Sequence, residues 1–181
     1  MKTYISILRG INVGGARPVR MDDLVKVYQG LGFIDVKTYI QSGNVIFREK
    51  GSTAGELAKR ISAEIRLKFA LEVPAIVLTK NELEVILAGN PFLPAKEAES
   101  DKLHITLLAE VPAQNNINSL DVVNYLPDEF AILGRAVYLY CPGGYGKTKL
   151  NNNFFEKKLK LEATTRNLRT LGELLKMSQL H

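Results

Sequence analysis

The sequence predicts an α+β protein with two halves of similar element order, followed by a C-terminal helix. Short apolar runs bounded by glycine or asparagine predict strands, and runs with apolar residues three or four positions apart predict helices. Strands and helices alternate in a similar order in residues 1–90 and in residues 91–181, so we expect each range to form one half. A chain of 181 residues is long enough for two small units of this kind.

The first half has the predicted order β-α-β-β-α-β. Its second helix begins at a capping box, in which the side chains of Thr53 and Glu56 each bond to the other's backbone. Apolar residues follow at every fourth position, which gives this helix one buried face. The predicted strands cover residues 3–8, 36–40, 45–48 and 72–79, and the predicted helices cover residues 24–31 and 53–69. This element order is that of the ferredoxin-like fold.

The second half repeats the order β-α-β-β-α and ends in a further helix. A second capping box, from Thr79 to Glu82, begins a short helix that reaches residue 88 and connects the halves. The predicted strands cover residues 103–109, 129–133 and 136–141, and the predicted helices cover residues 116–125, 149–159 and 167–177. The halves share no residue-level repeat, so any duplication is architectural. We therefore predict two ferredoxin-like halves in tandem with a C-terminal helix.

The formal net charge is +5, and the basic residues concentrate towards the two ends of the sequence. Residues 1–79 have 12 Lys and Arg against 7 Asp and Glu, and residues 142–181 have 8 against 3. Residues 80–141 have the opposite balance, 4 against 9. A basic patch favours phosphate-bearing ligands or nucleic acid, and the alternative is a mixed surface without a specific partner.

The composition also argues against several classes of protein. No apolar run approaches the roughly 18 residues that span a bilayer. The first apolar run reaches Arg9 too early to be the core of a signal peptide. The single cysteine, Cys141, excludes an intramolecular disulfide and a cysteine metal cluster. We therefore expect a cytoplasmic protein without a membrane segment, metal or cofactor, and the oligomeric state stays open.

Two polar segments follow predicted strands and indicate a ligand site. In Arg9–Gly15, three glycines allow backbone N–H groups to approach an anion, and the arginine and asparagine add side-chain donors. The glycine spacing differs from that of the dinucleotide-binding fingerprint. The alternative is a sharp turn with Arg17 and Arg20 in solvent nearby. Gln41–Asn44 is either a hairpin connection or a second part of the same site, if the strands carrying the two segments are neighbours.

Residues 141–148 nearly match the phosphate loop of nucleotide triphosphatases. They follow a strand, precede a helix and end in Gly-Lys-Thr, but Cys141 occupies the position at which that loop needs a glycine. The preceding strand also belongs to a predicted hairpin rather than to a parallel sheet. We therefore expect that this segment is not a triphosphatase site.

Polar residues recur at the starts of the last two predicted helices. Lys149 and Asn151–Asn153 stand at the start of one helix, and Thr165, Arg166 and Asn167 stand before the other. Asparagine and threonine at such positions usually cap backbone donors, and either Thr165 or Asn167 is suited to this role. The alternative is a ligand site that uses Lys149 and Arg166 beside the helix starts.

Conventional catalytic and RNA-binding patterns are poorly represented. The two histidines are His104, in the middle of a predicted strand, and His181, so no histidine-based dyad is evident. We expect His104 to be a hydrogen-bonded residue of the sheet. Tyr4, Tyr39 and Phe47 lie on predicted strands, but the third strand lacks the interleaved aromatic residues of an RNA-recognition sheet.

Several of these segments resemble the DUF1697 family of uncharacterised bacterial proteins. Residues 4–15 and 39–45 are similar to the N-terminal pattern of that family, and residues 149–157 and 163–167 are similar to its C-terminal pattern. The resemblance covers nearly the whole chain and implies a duplicated ferredoxin-like fold, but it implies no activity. Leu168 stands where the family commonly has tryptophan.

The leading hypothesis is a cytoplasmic binding module for a phosphate-bearing ligand, either a nucleotide or nucleic acid. Its predicted ligand-binding residues are Arg9, Asn12, Gly14, Gly15, Gln41, Ser42, Asn44, Lys149 and Arg166. The first alternative is an enzyme without histidine or metal, in which Arg9 and Arg166 stabilise negative charge and Lys149 acts as acid or base. The second alternative is a protein-interaction module in which the polar segments only shape turns and caps.

Overall fold

A computed structural model describes residues 1–180, apart from the side chains of residues 122 and 123. Within these residues the protein is an α+β structure with two four-stranded antiparallel sheets. The strands are β1 (Lys2–Leu8), β2 (Ile34–Tyr39), β3 (Asn44–Glu49), β4 (Ala75–Thr79), β5 (Leu103–Leu108), β6 (Glu129–Leu133), β7 (Ala136–Tyr140) and β8 (Ala163–Asn167). The α-helices are α1 (Met21–Gly30), α2 (Ala54–Phe69), α3 (Lys80–Ala88), α4 (Gln114–Asn118), α5 (Asn152–Leu159) and α6 (Leu168–Gln179).

The chain divides into two compact units, each with one of the sheets. Unit 1 contains Met1–Glu84 together with the end of α6 from Glu173, and unit 2 contains Val85–Gly172. The sequence-based limits of the halves, residues 1–90 and 91–181, stay a prediction. Between residues 1 and 180, no helix is long and apolar enough to cross a membrane.

The sheet of unit 1 has the strand order β2-β3-β1-β4, so β1 and β3 are antiparallel neighbours. The capping box at the start of α2 is confirmed: the Thr53 backbone N–H donates to the Glu56 carboxylate at 2.7 Å, and the Glu56 N–H donates to the Thr53 hydroxyl at 3.3 Å. The fourfold apolar spacing of α2 is confirmed as well, since Leu57, Ile61 and Ile65 are buried in the unit 1 core and Phe69, partly buried, packs against it.

The sheet of unit 2 has the strand order β6-β7-β5-β8. In this unit the helix predicted over residues 116–125 is wrong in its extent. Only α4 is α-helical in this region, and a separate 3-10 turn follows at Val122–Tyr125. The Ser119 hydroxyl donates to the Asn116 carbonyl at 2.7 Å. Such local bonds compete with helix continuation, which accounts for the early end of α4.

The sequence also predicts no strand between the last two helices, and this prediction is wrong. β8 pairs antiparallel with β5 and completes the sheet. The adjacent Thr164 and Thr165 are β-branched residues, which suit a strand, but Thr165 also resembles a helix cap in the sequence. The cap is Asn167, whose side-chain oxygen accepts a bond from the Thr170 backbone N–H at 2.8 Å.

The central strands β1 and β5 occupy matching positions in sheets of matching strand order. Each strand also ends in the same backbone bond to a hairpin: Leu8 N–H to the Gly43 carbonyl and Leu108 N–H to the Arg135 carbonyl, each at 2.9 Å. Tyr4 in unit 1 therefore corresponds to His104 in unit 2, and Arg9 corresponds to Ala109. This correspondence allows each polar residue of one sheet to be compared with its counterpart in the other. The assignment of the two units to the ferredoxin-like class stays a prediction.

Candidate functional site

The Asn12 side chain joins the loop after β1 to the hairpin between β2 and β3. Its Nδ2 donates to the Gln41 carbonyl at 2.7 Å and to the Val19 carbonyl at 2.8 Å. Its Oδ1 accepts a bond from the Val19 backbone N–H at 2.7 Å. The φ of Asn12 is +54°, in the left-handed region that asparagine tolerates better than most residues. The two polar segments of the first half therefore meet at one end of the unit 1 sheet.

Ser42 and Asn44 shape the hairpin itself. Asn44 is fully buried, and its Nδ2 donates to the Tyr39 carbonyl at 3.0 Å and to the Ser42 hydroxyl at 2.8 Å. Gly43 packs so tightly that an added Cβ would lie 2.8 Å from the Leu8 Cβ. The amide of Asn44 thus supports the turn, whereas Gln41 is exposed.

The tip of the loop after β1 is exposed and turns back on itself. The Ala16 backbone N–H donates to the Val13 carbonyl at 2.9 Å, and the Val13 side chain is 64% exposed. Gly14 and Gly15 lie between them with positive φ values of +57° and +76°. Glycine adopts this conformation readily, so the tip keeps its backbone close to solvent.

Three arginines accompany this loop. Arg9 is half-buried at the end of β1, and its backbone N–H donates to the Pro74 carbonyl at 3.0 Å. The Arg17 guanidinium donates to the Glu72 carbonyl, and an added Cβ on Gly10 would lie 3.3 Å from Arg17 Nη1. The absence of a side chain at Gly10 therefore makes room for Arg17.

Arg20 lies beside a shallow depression of about 250 Å³, lined by Arg20, Met21, Asp22 and Gln41. Its guanidinium is 3.9 Å from the carboxylate of Asp22, and both side chains are at least 80% exposed. An exposed pair at this distance contributes little to stability. We call Gly14, Gly15, Arg17, Arg20 and Gln41 the loop surface. The sequence analysis did not include Arg17 and Arg20 among the predicted ligand-binding residues. Only the fold brings Arg20 next to Gln41.

The two remaining predicted ligand residues, Lys149 and Arg166, lie in unit 2. Lys149 is exposed and follows Thr148, whose hydroxyl donates to the Asp128 carboxylate at 2.6 Å. Arg166, on β8, donates from Nη1 to the Thr165 carbonyl at 2.9 Å. Burial lowers the pKa of Arg166 to about 10. A single site that joins these two residues to the loop surface stays a prediction.

The expectation that His104 is hydrogen-bonded holds in part, through a bond with the Lys102 backbone. Its ring stacks on Tyr145 with a centroid distance of 4.8 Å, but Nδ1 has no hydrogen-bond partner among the described residues. Burial lowers the pKa of His104, which favours the neutral imidazole. The neighbouring hydroxyls of Thr106 and Thr165 are 2.7 Å apart, and Thr165 also donates to the Asn152 side chain at 2.7 Å. The second histidine, His181, lies outside the described residues.

The segment that resembles a phosphate loop has a different architecture. It follows β7, which pairs antiparallel with β5 and β6, and α5 begins only at Asn152. Cys141 is buried, and burial raises the pKa of its thiol to about 11, so the thiol is protonated at neutral pH.

Tyr4 and Phe47 are buried in the unit 1 core, so they do not form an open platform for bases. Within residues 1–180, no group of three or more His, Cys, Asp or Glu residues is placed to hold a metal ion.

Comparisons with known proteins identify the family and the fold. No curated protein matches the chain. The conserved bacterial protein SP0830 from Streptococcus pneumoniae has a similar structure, with 22% identity, a TM-score of 0.71 and 98% coverage of both chains. At this identity the likeness applies to the fold alone. A family model described as a protein of unknown function, DUF1697, matches residues 1–138, a range that includes the loop surface but not Lys149 or Arg166. The chain therefore belongs to the DUF1697 family.

Proposed function

We propose that this chain is a cytoplasmic binding protein whose loop surface takes a phosphate-bearing ligand, either a nucleotide or nucleic acid. The observation that carries the proposal is the pair of bonds from Asn12 Nδ2 to the carbonyls of Gln41 and Val19. These bonds fix the loop after β1 against the hairpin. Because both segments are held before any ligand arrives, little further ordering is needed on binding.

The counterparts in unit 2 support a role for this end of the unit 1 sheet. Arg9 corresponds to Ala109, and Asn44 corresponds to Ala136, by the register of the central strands. The same sheet position therefore folds in unit 2 without an arginine or a buried amide. The strand order itself therefore does not require these two polar residues, which supports a role for them in binding or in shaping the loop surface.

The charge and backbone of the loop surface suit an anion. Arg20 contributes a guanidinium group, which matches the geometry of phosphate oxygens, and Asp22 contributes the one carboxylate lining the depression. Arg17, whose guanidinium also donates to the Glu72 carbonyl, adds a second positive charge to the same loop. The exposed glycines at the loop tip allow a ligand to approach the backbone closely. In this arrangement Asn12, Ser42 and Asn44 are positioning residues rather than ligand contacts.

Replacing Arg20 with alanine is expected to weaken binding about tenfold, because it removes one charge-assisted bond to phosphate. The probes are ADP, followed by calorimetry, and a fluorescein-labelled single-stranded oligonucleotide, followed by anisotropy. If the oligonucleotide is bound, its affinity should fall steeply between about 50 and 200 mM salt. The Arg20→Ala variant should lower that salt slope by about 1.

Lys68→Ala is the matched control. Lys68 also belongs to unit 1, is 61% exposed and lies 3.8 Å from a carboxylate, that of Glu64. The control removes the same charge from a similar surface ion pair, so it should retain nearly full affinity. The proposal fails if neither probe binds the wild-type protein, or if the two variants lose affinity equally.

A further inference from the structure

Two exposed apolar side chains accompany the loop surface, one on each of the segments that Asn12 joins. Val13 follows Asn12 in the loop after β1 and is 64% exposed, and Ile40 precedes Gln41 in the hairpin and is 51% exposed. Asn12 Nδ2 donates to the Gln41 carbonyl at 2.7 Å, so Val13 and Ile40 are the chain neighbours of two bonded residues. The loop surface therefore has an apolar residue directly beside it in both segments.

Ile40 adopts a backbone conformation that isoleucine disfavours. Its φ is +50°, in the left-handed region, where the branched side chain crowds the backbone. About half of the side chain is exposed, so burial offsets little of this strain. Glycine fits such a φ without strain, and it occupies the other left-handed position of the same hairpin, Gly43. Folding alone thus favours glycine at residue 40, and a strained isoleucine there indicates a role in binding.

The corresponding hairpin of unit 2 does without such a residue. The last pair between β6 and β7 is Leu133 with Ala136, which leaves two residues in the connection. The last pair between β2 and β3 is Tyr39 with Asn44, which leaves four. In the shorter connection the residue with a positive φ is a glycine, Gly134. The sheet order therefore requires neither the longer hairpin nor an isoleucine in the left-handed region.

The depression beside Arg20 is suited to only part of a nucleotide. Its volume is about 250 Å³, whereas pockets that enclose a whole small molecule measure roughly 300–1,000 Å³. Arg20 and Gln41 in its lining suit a phosphate group, so the rest of the ligand would lie outside the depression. Val13 and Ile40 are suited to a nucleobase, because bases pack against apolar side chains as well as aromatic ones.

We propose that Ile40 and Val13 hold the base of the ligand while the arginines of the loop surface bind its phosphate. This inference rests on the proposed function and narrows it to ligands with an unpaired base, namely a free nucleotide or single-stranded nucleic acid. The bases of a duplex are stacked and paired, so they are not available to a surface of this kind. The hairpin holds Ile40 in place before the ligand arrives, which reduces the ordering needed on binding.

The test compares AMP with ribose 5-phosphate by calorimetry, since these ligands share the sugar and the phosphate and differ in the base. AMP should bind the wild-type protein at least about fivefold more tightly, because the base covers apolar surface that ribose 5-phosphate leaves exposed. Ile40→Gly should weaken AMP binding about fivefold and leave ribose 5-phosphate unchanged. Because glycine relieves the strain at residue 40, the urea midpoint of this variant should be no lower than that of the wild-type protein.

Ala70→Gly is the matched control. Ala70 is exposed at the end of α2, outside the loop surface, and its φ of +54° is close to that of Ile40. This variant should have a higher urea midpoint and unchanged affinity for both ligands.

Two results would overturn the inference and leave the proposed phosphate site in place. One is equal affinity of the wild-type protein for AMP and ribose 5-phosphate. The other is an Ile40→Gly variant that keeps full affinity for AMP, or that unfolds at a lower urea concentration than the wild-type protein, since Ile40 would then serve the fold. A wild-type protein that binds neither ligand would overturn the proposed function together with the inference.

Discussion

Gly43→Ala is expected to lower the free energy of unfolding by about 3 kcal/mol, through overpacking and backbone strain together. The added Cβ would lie 2.8 Å from both the Leu8 Cβ and the Ile11 Cδ1. Ile11 has a flexible end that can move, but the Leu8 Cβ is attached directly to the backbone of β1. The φ of Gly43 is +82°, where alanine is strained even in open space. Urea unfolding followed by far-UV circular dichroism would measure the loss.

Gly134→Ala separates the two causes. Gly134 lies in the hairpin between β6 and β7 and also has a positive φ, +58°. A Cβ added there meets no atom of the described residues within 4 Å. This control should therefore lose only the backbone contribution, about 1 kcal/mol. Equal losses in the two variants would show that the close approach of Gly43 to Leu8 and Ile11 does not affect stability.

Elements that depend on local sequence were predictable. The capping boxes at Thr53 and Thr79 form as expected, because each involves residues three positions apart and needs no distant partner. β8 was not predictable in this way. Its Thr165 fits either a cap or a strand, and the antiparallel pairing with β5, about sixty residues earlier, selects the strand.

The candidate site shows the same division between local and long-range information. The sequence indicated that Arg9–Gly15 and Gln41–Asn44 are polar turns, but their contact depends on the pairing of β1 with β3. The sequence also could not show which groups the asparagine side chains bind. Asn12 and Asn44 have the composition of a ligand site, yet their donors bind backbone carbonyls. The fold is thus required to separate residues that build this surface from those available to a ligand.

Asn12→Gly is expected to lower the free energy of unfolding by about 3 kcal/mol, since three hydrogen bonds of about 1 kcal/mol each are lost. Glycine is the appropriate replacement because it accepts the φ of +54° at this position without strain. The loss therefore reports the side-chain bonds rather than the backbone conformation. Asn12→Ala should lose about 1 kcal/mol more, because alanine disfavours that φ.

Asn81→Ala is the control for the Asn12 variants, as Asn81 is exposed in the first turn of α3 and its loss should change stability by less than about 0.5 kcal/mol. Hydrogen exchange would locate the effect. If Asn12 holds the loop to the hairpin, the Asn12→Gly variant should exchange faster at the Val19 and Leu8 amides than the wild-type protein. These amides bond to the Asn12 side chain and to the Gly43 carbonyl. An Asn12→Gly variant with wild-type stability and unchanged exchange would mean that the loop and the hairpin stay together without Asn12, and the preformed loop surface would lose its main support.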